Sequence, residues 1–506
     1  MLEILDTTLR DGEQTAGVSF NDNEKLAIAK LLLEDLKVSR IEVASARVSK
    51  GELRAFEKIC TWAASCGRIG QVEALGFVDN TLSIDWIYEA GGRVLNLLAK
   101  GSLKHVTMQL GKTPQAHWND IRSVVSKARF KGMEVNLYLE DWSNGMKDSP
   151  EYVRGMIDEL KDCGISRFML PDTLGVLNPL ETFSFCSDMV KAYPGLHFDF
   201  HGHNDYDLAV ANTMAAVKAG VSGIHVTVNG LGERTGNTPL ASIVAVLNDH
   251  LKVANRVQES KLTPVCRYVE SVSGIRIPNN KPILGDAVFT QSAGVHADGD
   301  KKGGLYMNDL LPERFGRVRK YALGKTSGKA NIAKNLEELG IQLTPEQIRI
   351  VTKRVVELGD KKENVTTEDL PFIISDVIGG ATTAKEKVRV VNYSLQLTRS
   401  LKPIANIKIA IEGREYEESS SGAGQYDAFM KALWKVYDRL GKSHPVLVDY
   451  SVSIPPGGKT DALVQTEISW SWNGTRLRTR GLDADQTEAA IKATFKMLNL
   501  IENINI

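Results

Sequence analysis

The sequence of 506 residues has few cysteines, no excess charge of either sign and no long apolar run. Its five cysteines (Cys60, Cys66, Cys163, Cys186 and Cys266) are odd in number and scattered, with no CxxC pair. That excludes a disulfide scaffold and a thiolate zinc cluster, and reduced thiols inside a core are the expected state. Lys+Arg and Asp+Glu stand at 62 each. With neither a basic stripe nor an acidic tail, nucleic acid and membrane surfaces are not expected partners. No stretch approaches the ~18 apolar residues of a spanning helix. The opening MLEILDTTLRDGEQ has no basic segment ahead of an apolar one and does not read as an export signal. A soluble, cytoplasmic protein is expected. Nucleotide-binding loops are missing too. Gly324 and Gly328 in LGKTSGK stand too close for a P-loop, and Gly230–Gly236 lacks the GxGxxG spacing.

What is present is a repeated alternation. Short runs rich in β-formers recur through the first half, separated by helix-like segments: LEILDTT from Leu2, RIEVAS from Arg40, VEALGF from Val72, VLNLLAKG from Val94, VNLYLED from Val135, RFMLPDT from Arg167, HFDFHGH from His197 and GIHVTVNG from Gly223. Eight βα units over ~250 residues fit an α/β fold of the (β/α)8 TIM-barrel type. Nearly every run ends in polar residues: Arg10 and Asp11, Glu42, Lys100, Glu140 and Asp141, Asp172 and Thr173, His201, His203 and Asn204, then Asn229 with Glu233. Polar groups converging from many strand ends build a barrel active site, whereas an open sheet gathers them at one switch point.

The period is lost after residue 273. The predicted organisation is a catalytic barrel over 1–273, a helical subdomain over 274–378 that covers the active site, and a C-terminal α+β domain over 388–506. The small polar segment GGATTAKEK (Gly379–Lys387) is the expected linker. In the last part, SGAGQYDAFMKALWKV and RGLDADQTEAAIKATFKM echo one another as turns leading into amphipathic helices. A duplicated βα unit, regulatory or dimerising, is the expected form.

The strongest chemical signal is HFDFHGHND. His201 and His203 stand two apart on a strand, so their side chains share one face. In a closed barrel the first strand lies beside the eighth and near the seventh, which brings Asp11 toward them. One carboxylate and two imidazoles leave positions open on a divalent ion, as catalytic rather than structural sites do. Arg10 beside such a site is expected to serve a substrate oxygen that develops negative charge. A salt bridge to Asp11 or Glu140 is its bland alternative.

Three segments, DTTLRDGEQT (Asp6–Thr15), HGHND (His201–Asp205) and NGLGERTGN (Asn229–Asn237), resemble the signatures of the metal-dependent, acyl-CoA-condensing TIM barrels. These are the 2-isopropylmalate, citramalate and homocitrate synthases, with the HMG-CoA lyases as relatives. The likeness runs over almost the whole chain and is closest to the citramalate synthases. It implies a divalent metal (Zn2+, Mn2+ or Mg2+) on Asp11, His201 and His203, with Asn237 beside it, and acetyl-CoA as co-substrate. It implies that Arg10 activates the keto oxygen, that Thr173 holds the keto-acid carboxylate, and that Glu140 lies near the acetyl methyl. His296, Asp298 and Tyr306 match residues that close over acetyl-CoA and assist catalysis, and Gln14 joins Tyr306 on the cofactor side. The chain departs from related citramalate synthases at Gly304, where they carry Asn. The general base is Glu140 or the His296/Tyr306 group, and the sequence does not choose. A homodimer and a branched-chain amino-acid effector on the C-terminal domain are implied as well.

The resemblance also implies that Leu75, Leu98 and Tyr138 line the pocket for the alkyl group. A Leu, Leu, Tyr wall leaves room for the methyl of pyruvate and makes citramalate the expected product, with 2-isopropylmalate from 2-oxoisovalerate the alternative. An apolar wall disfavours 2-oxoglutarate, whose second carboxylate needs a cationic partner. A lyase is disfavoured because NGLGERTGN lacks the lyase cysteine, and a non-catalytic amino-acid sensor because the barrel residues are all present.

Overall fold

The computed structural model describes residues 1–301, 305–339, 341–360, 365, 367–378, 387–453 and 464–504. Gly304 and the segment 379–386 lie outside the described residues.

Eight strands close into a barrel in chain order: β1 (Glu3–Asp6), β2 (Arg40–Ser45), β3 (Val72–Phe77), β4 (Val94–Lys100), β5 (Glu134–Glu140), β6 (Arg167–Asp172), β7 (Phe198–Gly202) and β8 (Gly223–Val226). Every pairing is parallel, and β1 closes the ring on β8 with Leu5 opposite His225. Each of the eight predicted runs supplies one strand. The intervening helices start where capping groups end the strand-to-helix loops. Asn21 and Asn178 each form a capping box, with Glu24 and Glu181 respectively, which satisfies amide donors the first helical turn leaves free. Helices and strand exteriors share one core that includes Ile41, Val43, Leu95, Leu97, Val135, Leu137, Phe198 and Phe200.

The lumen is different in kind. The side chains that alternate with those apolar ones are largely polar and buried: Arg40, Glu42, Glu73, Asn96, Asn136, Asp199 and His225. Arg40 bridges Glu73 (2.8 Å) and Asp199 (2.6 Å), so charges removed from water are paired, as burial requires.

The chain divides into two compact units, Met1–Thr290 with Met307–Arg319, and Gln291–Tyr306 with Lys320–Ile506. In the second, helices Lys329–Glu338, Pro345–Asp360 and Leu370–Ile378 pack around Ile332, Leu336, Val351, Val355 and Ile374. The C-terminal part repeats a motif larger than the expected βα unit. Strands Val388–Gln396, Ile404–Ile411 and Arg414–Ser421 form an antiparallel sheet followed by helix Gln425–Arg439. Strands Val446–Ser453, Val464–Trp472 and Thr475–Asp483 form another, followed by helix Gln486–Ile504. The extra strands include REYEESSS and TRLRTRGLD, whose alternating side chains are too polar to stand out as apolar runs. Both sheets and both helices share one core built on Ile407, Ile409, Phe429, Leu433, Trp470 and Phe495. Among the described residues, no helix is long and apolar enough to cross a membrane.

Candidate functional site

At the C-terminal mouth of the barrel, β1 runs into a tight turn in which the amides of Arg10, Asp11 and Gly12 all donate to the Thr7 carbonyl (3.1, 2.8 and 3.1 Å). The turn holds the Asp11 carboxylate toward the end of β7, where Asp11 Oδ2 lies 3.3 Å from His201 Nε2 and 4.0 Å from His203 Nε2. One ligand atom from each of Asp11, His201 and His203 can be chosen so that all lie within 4.8 Å of one another. Asn237 is paired with His203 through a backbone bridge, and its buried Oδ1 has no hydrogen-bond partner. Asp11 Oδ1 and the Nδ1 atoms of both histidines are also buried without partners.

The loop that delivers Asn237 depends on two glycines. At Gly236 (φ +86°) a Cβ would stand 1.9 Å from the Gly230 carbonyl oxygen, and at Gly232 (φ +154°) 2.2 Å from Asn237 Nδ2. Neither position tolerates a side chain. Thr15 ties this loop to the one after β1, accepting from the Gly232 amide at 2.7 Å and donating to its carbonyl at 3.1 Å.

The electrostatics suit a cation. Burial opposes ionisation of Asp11, yet the charge of Arg10 and a hydrogen bond from His201 outweigh it and hold the carboxyl well below its usual range. Burial lowers both imidazoles, His203 to about 4, so they are neutral with lone pairs available. An ionised carboxylate, two neutral imidazoles and an unpartnered amide oxygen fit a divalent metal with open positions. Arg10 donates through Nε to Glu42 Oε2 at 2.5 Å, while its Nη1 lies 3.3 Å from Asp11. Burial works against this guanidinium, but the two carboxylates keep it charged. Arg10 is thus salt-bridged to Asp11, as its bland reading has it, and to Glu42, and it lies beside the candidate metal ligands.

Around this centre the structure gathers most of the predicted residues. Glu140 ends β5 and is ion-paired with Lys100 at the end of β4. Thr173 follows β6, its hydroxyl accepting from the Asp141 amide at 2.9 Å. Arg234 donates to the Thr173 carbonyl and grips Asp205 with two nitrogens. Two residues deeper than Lys100 and Glu140, Leu98 and Tyr138 join Leu75, Leu5 and Met169 in one lumen cluster. Gln14 is exposed. In the second unit His296 and Tyr306 are exposed neighbours, with ring centroids 4.3 Å apart. Asp298 lies on the same short helix, Gly294–Lys301, and its side chain is outside the described residues. Glu42, read from the sequence as a strand-end polar group, instead lies within β2, fully buried on Arg10, and two further lumen residues received no role from the sequence: Asn96, which donates to Glu42 at 2.7 Å, and His225. Their signal was the alternation of polar with apolar residues along β4 and β8.

Residues 1–269 match the HMGL-like family, residues 283–363 the homocitrate synthase post-HMGL domain-like family, and residues 364–502 the LeuA allosteric (dimerisation) domain. The (R)-citramalate synthase CimA of Methanocaldococcus jannaschii is 32% identical over 505 residues, covering 99% of this chain and 100% of that one. The 2-isopropylmalate synthase of the same organism is 31% identical over 505 residues, covering 98% of this chain and 94% of that one. The chain, which itself carries the LeuA allosteric (dimerisation) domain, belongs to the HMGL-like family, alongside citramalate and 2-isopropylmalate synthases, and is an acyltransferase of that group.

Proposed function

We propose that the enzyme condenses acetyl-CoA with pyruvate and releases citramalate and CoA. The observation that carries this reading is the lumen cluster of Leu75, Leu98 and Tyr138 below the metal-ligand set, an apolar floor suited to a methyl group. In this reading Thr173 receives the substrate carboxylate, and the keto oxygen faces Arg10, whose charge meets the developing alkoxide. A divalent ion on Asp11, His201 and His203, with Asn237 beside it, would supply Lewis-acid polarisation of the keto group. Zn2+, Mn2+ and Mg2+ are the candidates. A base takes a proton from the acetyl methyl, and the enolate carbon bonds to the keto carbon. The alkoxide is protonated, and water then cleaves the thioester to a carboxylate and CoA. Glu140, and His296 with Tyr306, are the two candidate bases. Exchange of acetyl protons with solvent in Glu140→Gln and Tyr306→Phe separates them. Asp298 assists the His296 group, and Gln14 and Tyr306 contact acetyl-CoA.

CoA release from acetyl-CoA, measured with a panel of 2-oxo acids, tests the substrate. A kcat/KM for pyruvate at least ~10-fold above that for 2-oxoisovalerate is expected, the scale of one or two methylenes in an apolar pocket. Preference for 2-oxoisovalerate would make the enzyme a 2-isopropylmalate synthase. That second reading has its own support, because overall identity to the two Methanocaldococcus jannaschii synthases is nearly equal.

We further propose a catalytic barrel over 1–273, a covering subdomain over 274–378 and a regulatory, dimerising domain over 388–506. A homodimer is supported by the exposed apolar side chains Val446, Leu447, Val448 and Val452 on one strand. An amino-acid effector is supported by a cavity of about 890 Å³ lined by Tyr426, Trp434, Leu447, Tyr450, Asp427 and Asp485. A cytoplasmic location is supported by five unpaired cysteines.

A further inference from the structure

The Tyr138 ring does not simply fill space in the lumen. From β5 its hydroxyl reaches across to β8, 3.1 Å from His225 Nδ1. His225 Nε2 lies 3.2 Å from Asp199 Oδ2, which also accepts from Arg40 Nη2 at 2.6 Å. Asp199 Oδ1 is met by His197 Nε2 at 2.7 Å. Tyr138, His225, Asp199 and Arg40 are all buried, so this is a fixed column from the pocket floor to the lower barrel.

The chemistry of the column assigns its hydrogens. Asp199 Oδ2 is ion-paired with Arg40 Nη2 at 2.6 Å, so it presents an acceptor to His225. His225 Nε2 therefore carries the ring hydrogen, and Nδ1 of the neutral imidazole offers a lone pair. The phenol has one hydrogen, and its nearer acceptor is His225 Nδ1, since Glu42 Oε2 is 3.5 Å away. Tyr138 thus donates to His225 and has no hydrogen left for Glu42. The hydroxyl is pinned at one end of the ring and Cβ at the other, with the ring edge-on to both His201 and His225.

We infer that His225 is a specificity-positioning residue: by anchoring the Tyr138 hydroxyl it keeps the ring across the lumen and so limits the size of the 2-oxo acid accepted. This rests on the reading that Tyr138 floors the substrate pocket. His225 reaches the pocket through that ring, and it also lies edge-on to His201 with ring centroids 5.4 Å apart. Cutting the hydrogen bond from either side lets the phenyl group swing and enlarges the space above Leu75 and Leu98. The expected change is about 3- to 10-fold, the worth of one buried hydrogen bond.

The test is a cycle of Tyr138→Phe, His225→Leu and the double variant. Each is assayed for kcat/KM with pyruvate, 2-oxobutyrate and 2-oxoisovalerate in the metal-loaded full-length enzyme. Each single variant is expected to move the ratio toward the larger acids by that factor, mainly through a lower KM for them. The double variant should move it no further, because both changes cut the same bond. A merely structural role would change the unfolding midpoint without this shared, non-additive shift. His225→Phe serves if His225→Leu does not fold, since it keeps a ring and removes the Nδ1 acceptor. Unchanged selectivity in the His225 variants, or shifts that add in the double variant, would overturn the inference. The wild-type ratio alone tests whether pyruvate is the substrate, so the two failures are distinguishable.

Discussion

Glu42→Gln isolates the support of Arg10 without changing shape. In the wild type Glu42 Oε2 accepts from Arg10 Nε and Oε1 from Asn96 Nδ2. Asn96 cannot turn its amide over, because its Oδ1 already accepts from Asn136 Nδ2 at 2.8 Å. A glutamine has one acceptor where the carboxylate has two. Its NH2 must face either Arg10 or Asn96, both of them donors, so one buried donor is left unpaired at ~1–3 kcal/mol. The guanidinium also loses one of two carboxylates, Asp11 remaining at 3.3 Å. Breaking a buried pair from one side costs ~3–5 kcal/mol, and the surviving partner places this case near the lower bound, about 3 kcal/mol. If that cost falls on the transition state, kcat/KM drops by roughly two orders of magnitude. If it falls on the fold, the urea midpoint of barrel unfolding drops instead. Steady-state CoA release and a urea titration followed by tryptophan fluorescence measure both. A variant with wild-type values in the two assays would refute the claim that Glu42 holds Arg10.

Three further outcomes are expected. His203→Ala should weaken Zn2+ or Mn2+ binding by well over ~10-fold in calorimetry, with the unfolding midpoint of the metal-free protein nearly unmoved; wild-type affinity would remove His203 from the ligand set. Asp6 is fully buried with Oδ2 unpartnered, and burial raises its carboxyl to about 7. A folded value above the unfolded one means that ionisation costs stability. The cost is absent below pH ~4, grows through pH 4–7 and is full above, at most roughly 4 kcal/mol. Asp6→Asn should therefore stabilise the protein at pH 8 and not at pH 4, and equal urea midpoints of variant and wild type at pH 8 would contradict this. Finally, with the proposed effector cavity lined by Tyr450, Tyr450→Ala in the full chain should abolish any inhibition by isoleucine or leucine that the wild type shows, and retained inhibition would move the effector elsewhere.

The barrel was legible because each parallel strand shows helices an apolar face, so Ile41 and Val43, or Leu95 and Leu97, stand out as runs. The cluster of Asp11, His201 and His203 was legible because strand ends carry residues with no packing role, such as Arg10, Asp11 and His203. The lumen was not. Arg40, Asn96 and His225 alternate with apolar residues as solvent-facing side chains do in an ordinary strand. Period alone cannot separate a polar face in water from one in a closed barrel. The C-terminal repeat was half legible for a related reason. Strand Arg414–Ser421 exposes nearly every other residue, so it lacked the apolar signal that marks Ile404–Ile411.

The polar lumen has a consequence for how this fold divides stability from function. A barrel filled with branched apolar side chains gains from burial directly. Here the lower layers hold Arg40 among Glu3, Glu73 and Asp199, an arrangement whose attraction does little more than offset its own desolvation. Such a network adds little net stability over an apolar filling, but it fixes direction in a way apolar packing does not. Arg40 orients Asp199, Asp199 fixes the tautomer of His225, and His225 holds the phenol of Tyr138. In parallel, Asn136 orients Asn96, Asn96 orients Glu42, and Glu42 holds Arg10. Two chains of hydrogen bonds thus rise through the barrel to Tyr138 and Arg10, the side chains proposed to set pocket size and to meet substrate charge. Precision at the site is carried by the lumen, while the surrounding helices supply the bulk of the burial.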